Sequence, residues 1–265
     1  MIRMRWLTLA ALVPVIASAN DELAKGSQDP NQWVLPLGSY SGIRHSKLAQ
    51  ITPGNASKLR VAWTMSTGTL RGQEGQPLVI GNMLYFESSY PNYVYAVNLD
   101  NVGQIVWKFA PEQDKFSPSV ACCDLVNKGV SYADGKILVT TLDTHVYALD
   151  AKTGKVVWNV QNGDPQMGQT MTIAPLIVHD KVIVGISGGE YGVRGHLTAY
   201  DLKTGKTVDH GEMRLPAGRR VCAQNAATTG VDGTVYFVGA IEVGPNPANP
   251  LRRRDRLGTF ITDLG

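Results

Sequence analysis

The feature that most constrains the fold of this chain is an internal repeat with a period of about fifty residues. Each copy is an apolar segment that ends in Ala-x-Asp or a close variant, followed by a Gly-containing turn and a second apolar segment. The three copies are Tyr95 to Trp107, Tyr147 to Trp158 and Thr198 to Val208. Ala96 and Ala148 are 52 residues apart, and Ala148 and Ala199 are 51 residues apart. A period of this length is typical of architectures in which neighbouring units bury one another's apolar faces.

Each copy predicts a β-hairpin, because Gly supplies the positive φ that the turn needs. A further pair of short apolar segments precedes each hairpin. These pairs are residues 77–80 and 83–87, 130–133 and 136–141, and 174–178 and 182–186. Four strands per unit is the composition of a propeller blade. We therefore predict an all-β fold of the β-propeller type; three copies at a near-constant spacing disfavour the alternative, a generic β-sandwich.

A tryptophan ends the second hairpin in two of the three copies. Trp107 and Trp158 occupy this position, whereas the third copy has Asp209. We expect the aromatic ring to pack between neighbouring blades, so the third contact should be weaker. Trp63 suggests the edge of an earlier unit. Because propellers have ~4 to 8 blades, these three to four units predict only part of a ring.

The first nineteen residues predict export. Arg3 and Arg5 precede an apolar run that ends in Ala17-Ser18-Ala19, the arrangement of a secretory signal peptide. The run is shorter than the ~20 residues that span a bilayer, although a retained anchor is the alternative. We therefore expect a periplasmic location for the mature chain. Without Arg3 and Arg5, 23 basic residues face 22 acidic ones, and no clustered basic face points to nucleic acid.

Three local motifs are more specific than the repeat. They are Arg71-Gly72-Gln73-Glu74-Gly75, Ala121-Cys122-Cys123-Asp124, and Ser187-Gly188-Gly189-Glu190-Tyr191-Gly192-Val193-Arg194-Gly195. With the Ala-x-Asp-x-x-Thr-Gly-Lys-x-x-Trp unit, they resemble the quinoprotein alcohol dehydrogenases that use pyrroloquinoline quinone (PQQ). Within that family the resemblance is to methanol dehydrogenase large subunits, to the lanthanide type more than the calcium type. It covers residues 31 to about 218.

The resemblance implies an eight-bladed propeller with PQQ in a central pocket and a lanthanide ion or Ca²⁺ on the quinone. It also implies periplasmic oxidation of primary alcohols, methanol to formaldehyde in particular, with electrons passed to a cytochrome c and a homodimer as the intact form. The alternative function is a non-enzymatic propeller, such as an outer-membrane assembly scaffold. Such a scaffold would need neither the Cys pair nor residues 187–190.

Cys122 and Cys123 are adjacent, and a bond between them closes a small, strained ring. The residues alone leave open two free thiols or longer-range disulfides, since Cys222 is also present. The resemblance implies a vicinal disulfide that lies against the flat face of PQQ.

Glu190 stands in a loop rich in glycine, and by itself it is typical of an exposed loop carboxylate. The resemblance assigns it to the metal as one ligand, which suits a hard cation that prefers oxygen. One carboxylate does not complete such a site. Gly189 favours a lanthanide, because calcium-type relatives usually have Ala there.

The resemblance also assigns PQQ contacts to Glu74, Thr172, Ser187, Gly188 and Gly189. Lys128 departs from the family, which usually has Arg there, beside the quinone oxygens. Lysine keeps the charge but lacks the planar fork for a bidentate contact. The five histidines show no metal-like spacing, and His196 is the one that stands close to the Glu190 loop in sequence.

The repeat pattern ends near Arg219. We therefore divide the chain into a signal peptide (1–19), a partial propeller (20–218) and a poorly matching tail (219–265) in which residues 234–241 suggest a strand. Our hypothesis is that the tail is out of frame or otherwise aberrant, which reading the other frames of the coding DNA would test. The family's catalytic Asp belongs to blades beyond this region, so no catalytic residue is assigned here.

Overall fold

The computed structural model describes residues 20–101, 103–212, 221–229, 235–246 and 249–262. The fold is all-β, as predicted, with a single short α-helix, α1 (Asp21–Gly26), among these residues. In the same part of the chain, no helix has the length and apolar character needed to cross a bilayer. The predicted signal peptide lies outside the described residues.

Three four-stranded antiparallel sheets form the three predicted blades. Blade 1 comprises β1 (Leu78–Ile80), β2 (Met83–Glu87), β3 (Val94–Asn98) and β4 (Gln104–Phe109). Blade 2 comprises β5 (Ser131–Ala133), β6 (Lys136–Thr140), β7 (His145–Asp150) and β8 (Val156–Gln161). Blade 3 comprises β9 (Leu176–Val178), β10 (Lys181–Gly185), β11 (His196–Asp201) and β12 (Thr207–Glu212). Within each blade, consecutive strands are neighbours.

Because the strands alternate in direction, their connections alternate between two ends of each blade. The turns between first and second strands, and between third and fourth strands, lie at one end, which we call the turn end. The loops between second and third strands, and the links from one blade to the next, lie at the other end, which we call the site end. Tight turns therefore collect at one end and longer segments at the other.

The three hairpins between third and fourth strands have the same register. Ala96 pairs with Trp107, Ala148 with Trp158, and Ala199 with Asp209. The ladder is irregular directly after each of these alanines. The sequence alignment of the repeats is thus also their structural alignment.

Each tryptophan packs on the next blade, as expected. The Trp107 indole donates through Nε1 to the Ala151 carbonyl oxygen at 3.0 Å, and its ring covers Gly154 so closely that a Cβ there would lie 2.6 Å from Cδ2. Trp158 repeats the arrangement with the Leu202 carbonyl at 3.0 Å. Trp63 lies over Gly103, with Cε3 3.7 Å from the position of a Cβ. Trp63 thus packs on blade 1 at the corresponding glycine, while its place at the edge of an earlier unit stays a prediction, since the described residues around it form no strand.

An aspartate closes the turn beside Gly154 and the turn beside Gly205. In blade 2 the Asp150 carboxylate accepts from the Thr153 hydroxyl and amide at 2.8 Å and from the Lys152 amide at 3.1 Å. Asp201 does the same in blade 3 with Thr204 and Lys203. Hydrogen bonds from the threonine side chain, and then from the backbone, hold the pKa of both aspartates below its usual value.

The core lies between the blades. Leu78, Val94, Ile137 and Leu149 are buried between blades 1 and 2. A second cluster joins blades 2 and 3 and includes Leu23 of α1, which is 1% exposed. Full burial of such side chains contributes about 1.5–3 kcal/mol each.

The residues around α1 fasten the turn end of blades 2 and 3. Asn20 caps the helix by accepting from the Leu23 amide at 3.1 Å, and it donates to the His179 carbonyl at 2.7 Å. Glu22 accepts from the Asp134 amide at 2.8 Å. Asp134 and Gly135 both have positive φ, 49° and 68°, as a two-residue hairpin of type I′ requires.

Beyond the blades, β13 (Val221–Thr229), β14 (Val235–Asn246) and β15 (Asn249–Thr262) form an antiparallel sheet in that order. The suggested strand at 234–241 is confirmed by β14. The origin of the tail and the division of the chain at residue 218 remain predictions.

Candidate functional site

The segments that enter the three blades lie side by side at the site end. The Gln76 amide donates to the Lys128 carbonyl at 3.0 Å, and the Lys128 amide donates to the Thr172 carbonyl at 3.1 Å. These residues come shortly before β1, β5 and β9. Backbone hydrogen bonds therefore bring three residues that are far apart in sequence into one row.

Two predicted site residues form an ion pair on this row. The Lys128 ammonium contacts the Glu74 carboxylate, and the two side chains are 57% and 47% exposed. An ion pair this accessible contributes only ~0–1 kcal/mol to stability. Both groups therefore remain within reach of a ligand.

The predicted disulfide is present in the loop that leads to Lys128. Cys122 and Cys123 are bonded to each other, and both are exposed. The loop is fixed to the first motif, since Arg71 Nη1 lies 3.5 Å from Asp124 Oδ1. The exposed disulfide and the Glu74–Lys128 pair thus belong to two segments that lie against each other.

Two residues that the sequence did not single out hold this loop. The Asn127 side chain donates to the Thr140 carbonyl at 2.9 Å and accepts from the Gly129 amide at 3.0 Å. Gly129 has φ 109°, and a Cβ there would lie 2.8 Å from the backbone of Gln76. Only glycine fits such a close backbone approach. The side-chain amide of Asn127 gives no periodic or motif signal in the sequence.

Ser187 joins the row through its backbone. It pairs with Thr170, two residues before Thr172, and its amide donates to the Thr170 carbonyl at 2.8 Å. Gly188 follows with φ 123°, and a Cβ there would overlap the Gly168 carbonyl oxygen. The glycine is therefore required by a close backbone approach at this point.

Glu190 lies in a 3-10 turn, Gly189–Tyr191, and is exposed. No cluster of three or more His, Cys, Asp or Glu side chains that could hold a metal occurs among the described residues. A hard cation such as Ca²⁺ takes ~6 to 8 oxygen ligands. The described part of the chain thus forms no complete site for a hard cation, and the assignment of Glu190 to a metal stays a prediction.

His196, which stands near this loop in sequence, is a packing residue. It is buried, its Nε2 lies 3.2 Å from the Asn162 carbonyl oxygen, and its ring is 4.8 Å from that of His210. The imidazole is therefore buried within blade 3 and packs against His210.

A mostly apolar cavity of about 290 Å³ adjoins the Glu74–Lys128 pair. Leu35, Tyr40, Ile173 and Ile177 contribute to its walls, and Glu74 and Lys128 form part of its polar lining. Cavities of this kind, apolar with a few convergent polar groups, are typical of small-molecule sites.

The predicted PQQ residues therefore share the site end of three blades. Glu74, Lys128 and Thr172 are directly connected, and Cys122, Cys123, Ser187 and Gly188 adjoin them through short segments. This set of groups fits a flat, anionic quinone: an ammonium group, hydroxyl groups and an exposed sulfur surface. Among the described residues no direct contact joins Glu190 to Lys128.

This region of the chain matches known proteins. Residues 33–210 match the family described as "PQQ: Glucose/ethanol/alcohol dehydrogenase, beta-propeller domain". The chain is 54% identical over 203 residues to the lanthanide-dependent methanol dehydrogenase of Methylorubrum extorquens, covering 77% of this chain and 33% of that protein. It is 49% identical over 212 residues to methanol dehydrogenase (cytochrome c) subunit 1 of Methylobacterium organophilum, covering 76% and 34%.

A solved structure agrees with the fold. A europium-containing methanol dehydrogenase superposes with a TM-score of 0.78 at 39% identity, covering 84% of this chain and 44% of the other. The chain spans about a third of the length of the curated relatives it matches.

Proposed function

The chain belongs to the family of PQQ-dependent glucose, ethanol and alcohol dehydrogenase propellers, and from that premise we propose that it forms one wall of the PQQ site of a methanol-oxidising enzyme. The observation that carries the proposal is the convergence of the Glu74–Lys128 pair, Thr172 and the exposed Cys122–Cys123 disulfide at the site end. The family resemblance of these positions, together with relatives that are named methanol dehydrogenases, supports this choice over a non-enzymatic scaffold.

Each residue has a distinct role in the proposal. Lys128 neutralises an oxygen or carboxylate of the quinone as a point charge, and Glu74 orients its ammonium. The hydroxyls of Thr172 and Ser187 donate to the cofactor's oxygens, and Gly188 lets the backbone approach it closely. The disulfide covers one flat face. PQQ, when bound, supplies the two-electron redox chemistry, and the protein supplies binding and orientation.

The names of the relatives support proposals for the metal, the substrate and the electron acceptor, whereas the homodimer rests on the family resemblance and the periplasmic location on residues 1–19. We propose that Glu190 contributes one oxygen ligand to a lanthanide ion, with Ca²⁺ as the second choice, since relatives include lanthanide-dependent and europium-containing enzymes. We further propose methanol or another primary alcohol as the substrate, a cytochrome c as the electron acceptor, a homodimer and a periplasmic location. No residue of this chain is assigned as the base that takes the alcohol proton.

Titration of the chain with PQQ, with and without La³⁺ or Ca²⁺, tests the proposal by quinone absorbance. We expect weak, saturable binding, because the described residues line the cofactor from one wall. Lys128→Ala should abolish it, whereas Lys136→Ala should not. Lys136 is a matched control because it is paired with Asp134 at the turn end.

A second set of titrations tests the assignment of Glu190 as a metal ligand. Glu190→Gln should remove the increase in PQQ affinity that La³⁺ produces, and Glu112→Gln, which removes another exposed carboxylate, should not. Binding that is equally strong in the wild type and Lys128→Ala would contradict the assignment of the cofactor wall. La³⁺ enhancement that survives Glu190→Gln would contradict the assignment of the metal ligand.

A further inference from the structure

Glu87 is a fully buried carboxyl group that the proposed function does not use. It is the last residue of β2 and is 0% exposed. Its Oε1 accepts from the Asn92 side-chain amide at 2.8 Å, and its Oε2 has no hydrogen-bond partner among the described residues. A buried charge without a partner is costly, so a group in this position takes the neutral form.

The backbone of Glu87 supports the segment that carries Glu74. The Gln73 side chain donates to the Glu87 carbonyl oxygen at 2.5 Å. A Cβ at Gly75 would lie 3.0 Å from that same oxygen. The two residues that flank Glu74 in sequence therefore both rest on Glu87.

The side chain of Glu87 secures the turn that supports the disulfide loop. Asn92, its partner, accepts from the Leu142 amide of blade 2 at 3.3 Å. Between Glu87 and Asn92 in the sequence, the Tyr90 amide donates to the Leu125 carbonyl at 2.8 Å. Leu125 in turn lies between Cys123 and Lys128. The Glu87–Asn92 hydrogen bond thus closes the turn that carries this contact.

No charge compensates the carboxyl group. The titratable side chains on the elements packed around it are Tyr85 on its own strand, Tyr90 and Tyr93 in the turn, Tyr95 on β3, Glu74 and Lys128 on the two site segments, and Asp143 beyond Leu142. Among the described residues, none of these forms a hydrogen bond or ion pair with the Glu87 carboxyl. Lys128 is engaged by Glu74. Two further cations nearby are also engaged: Arg71 of the Glu74 segment by Asp124, and Lys108 of β4 by the Tyr93 ring.

We propose that Glu87 is a positioning residue: a neutral, proton-bearing carboxyl that holds the Glu74 segment and the disulfide loop in register for the cofactor. This inference rests on the proposed function for the identity of the ligand, but the register of the two segments is measurable without it. Ionisation of Glu87 places an uncompensated charge beneath both segments and loosens them. The candidate cofactor wall is therefore ordered while Glu87 holds its proton and weakens as rising pH removes that proton.

The titration of Glu87 supports this direction. Burial raises the pKa of its carboxyl well above the usual value, and the hydrogen bond from Asn92 opposes the rise to a lesser extent. Because the folded-state pKa is raised, the stability that this proton contributes is fully present below pH ~4.5, declines as pH rises above it, and is lost once pH passes the folded-state pKa.

The test compares Glu87→Gln and Glu87→Ala with the wild-type chain, and uses Glu112→Gln as the control for removal of an exposed carboxylate. Glu87→Gln keeps the shape and the acceptor for Asn92 but cannot ionise. The first measurement is amide hydrogen exchange at Gln76, Tyr90 and Leu142, corrected for intrinsic rates at each pH. The second is PQQ affinity over a pH series that begins near the usual Glu value of ~4.5 and extends upward into alkaline solution.

We expect these amides to exchange roughly 10- to 100-fold faster in Glu87→Ala, which corresponds to the loss of a buried hydrogen bond with its partner left unsatisfied. Glu87→Gln should match the wild type at the acidic end of the range and stay protected at the alkaline end, where the wild type loses protection. PQQ affinity should follow the same order. A protonated-carboxyl infrared band at neutral pH should be present in the wild type and missing in Glu87→Gln.

Two outcomes overturn the inference. One is identical pH dependence of exchange in the wild type and Glu87→Gln; the other is a missing carboxyl band at neutral pH in the wild type. If Glu87→Ala does not fold, Glu87→Gln and the wild type still decide the question. If no variant binds PQQ, the proposed function fails, while amide exchange continues to test the positioning role separately.

Discussion

The turn end and the site end of the blades differ in how far their structure repeats from one blade to the next. At the turn end, blades 1 and 2 present the same structure twice: Trp107 on Gly154, and Trp158 on Gly205, each with an indole hydrogen bond at 3.0 Å to the next blade. At the site end no two loops are alike. The loop between the second and third strands has six residues in blade 1, four in blade 2 and ten in blade 3.

This difference separates the residues that stabilise the fold from the residues that are available to a ligand. The turn end buries large apolar surfaces in repeated contacts, so its substitutions should affect unfolding. The site end exposes its charged groups and its disulfide, so substitutions there should affect ligands while leaving the folded state largely unchanged. We therefore expect the largest losses of stability at the turn end and the smallest at the site end.

Trp107→Ala should give the largest loss of stability. Removal of a buried tryptophan costs about 3–5 kcal/mol, because transfer and cavity terms add, and the Ala151 carbonyl also loses one of its two donors, keeping the Tyr85 hydroxyl. Urea unfolding followed by circular dichroism measures the change. Val106→Ala, one position away on an exposed part of β4, is the control and should cost much less. Equal losses would show that the docking contact does not hold the blades together.

Gly154→Ala should come second, and Gly135→Ala provides a matched control. Both glycines have similar φ values, 69° and 68°, but a Cβ at Gly154 meets the Trp107 ring whereas one at Gly135 meets nothing within 4 Å. Both changes carry the ~1–2 kcal/mol cost of a left-handed alanine. Overpacking should add about 1–3 kcal/mol at Gly154 only. The difference between the two midpoints of unfolding isolates the tryptophan contact.

Glu87→Gln should have an intermediate effect that depends on pH. Since the folded-state pKa of Glu87 is raised, wild-type stability should fall with pH above ~4.5, by up to about 1.4 kcal/mol per unit, until the folded-state value is passed. The glutamine variant should lack this slope. Asp150 and Asp201 add no slope in this range, because their lowered pKa values mean that their contribution is complete there. Parallel stability curves for the two proteins between pH ~5.5 and ~8 would refute the prediction.

Lys128→Ala should have the smallest effect on stability, below ~1 kcal/mol, since its ion pair with Glu74 is exposed. The same variant should lose PQQ binding. A melting-temperature shift as large as that of Trp107→Ala would erase the distinction between the two ends, and thermal unfolding measures it directly.

The sequence predicted the turn end nearly completely. A fixed period, the Gly turns and the tryptophans specify the strands, their order and the packing of Trp107 and Trp158, because each copy repeats the same local chemistry. The third hairpin was placed correctly as well, with Asp209 in the tryptophan's register. Repetition is what made these features predictable.

The site end was predictable only through resemblance. Glu74, Lys128 and Thr172 are in three separate segments, and the backbone hydrogen bonds that align them leave no periodic trace in the sequence. Asn127 and Glu87 were missed because an amide in a loop and an acid at the end of a strand are typical of ordinary solvent-facing residues. Their roles depend on burial, which is a property of the assembled blades.

Asp209 limits the interchangeability of the repeats. Blades 1 and 2 each present an indole to a glycine on the following blade, so either could in principle be duplicated or transplanted next to the other without redesign of the joint. Blade 3 presents a short, exposed carboxylate in that register. A unit grafted after it would need a hydrogen-bond donor or a cation in place of the flat glycine surface. Engineering a longer array from these modules should therefore copy blade 2 and leave blade 3 as the boundary.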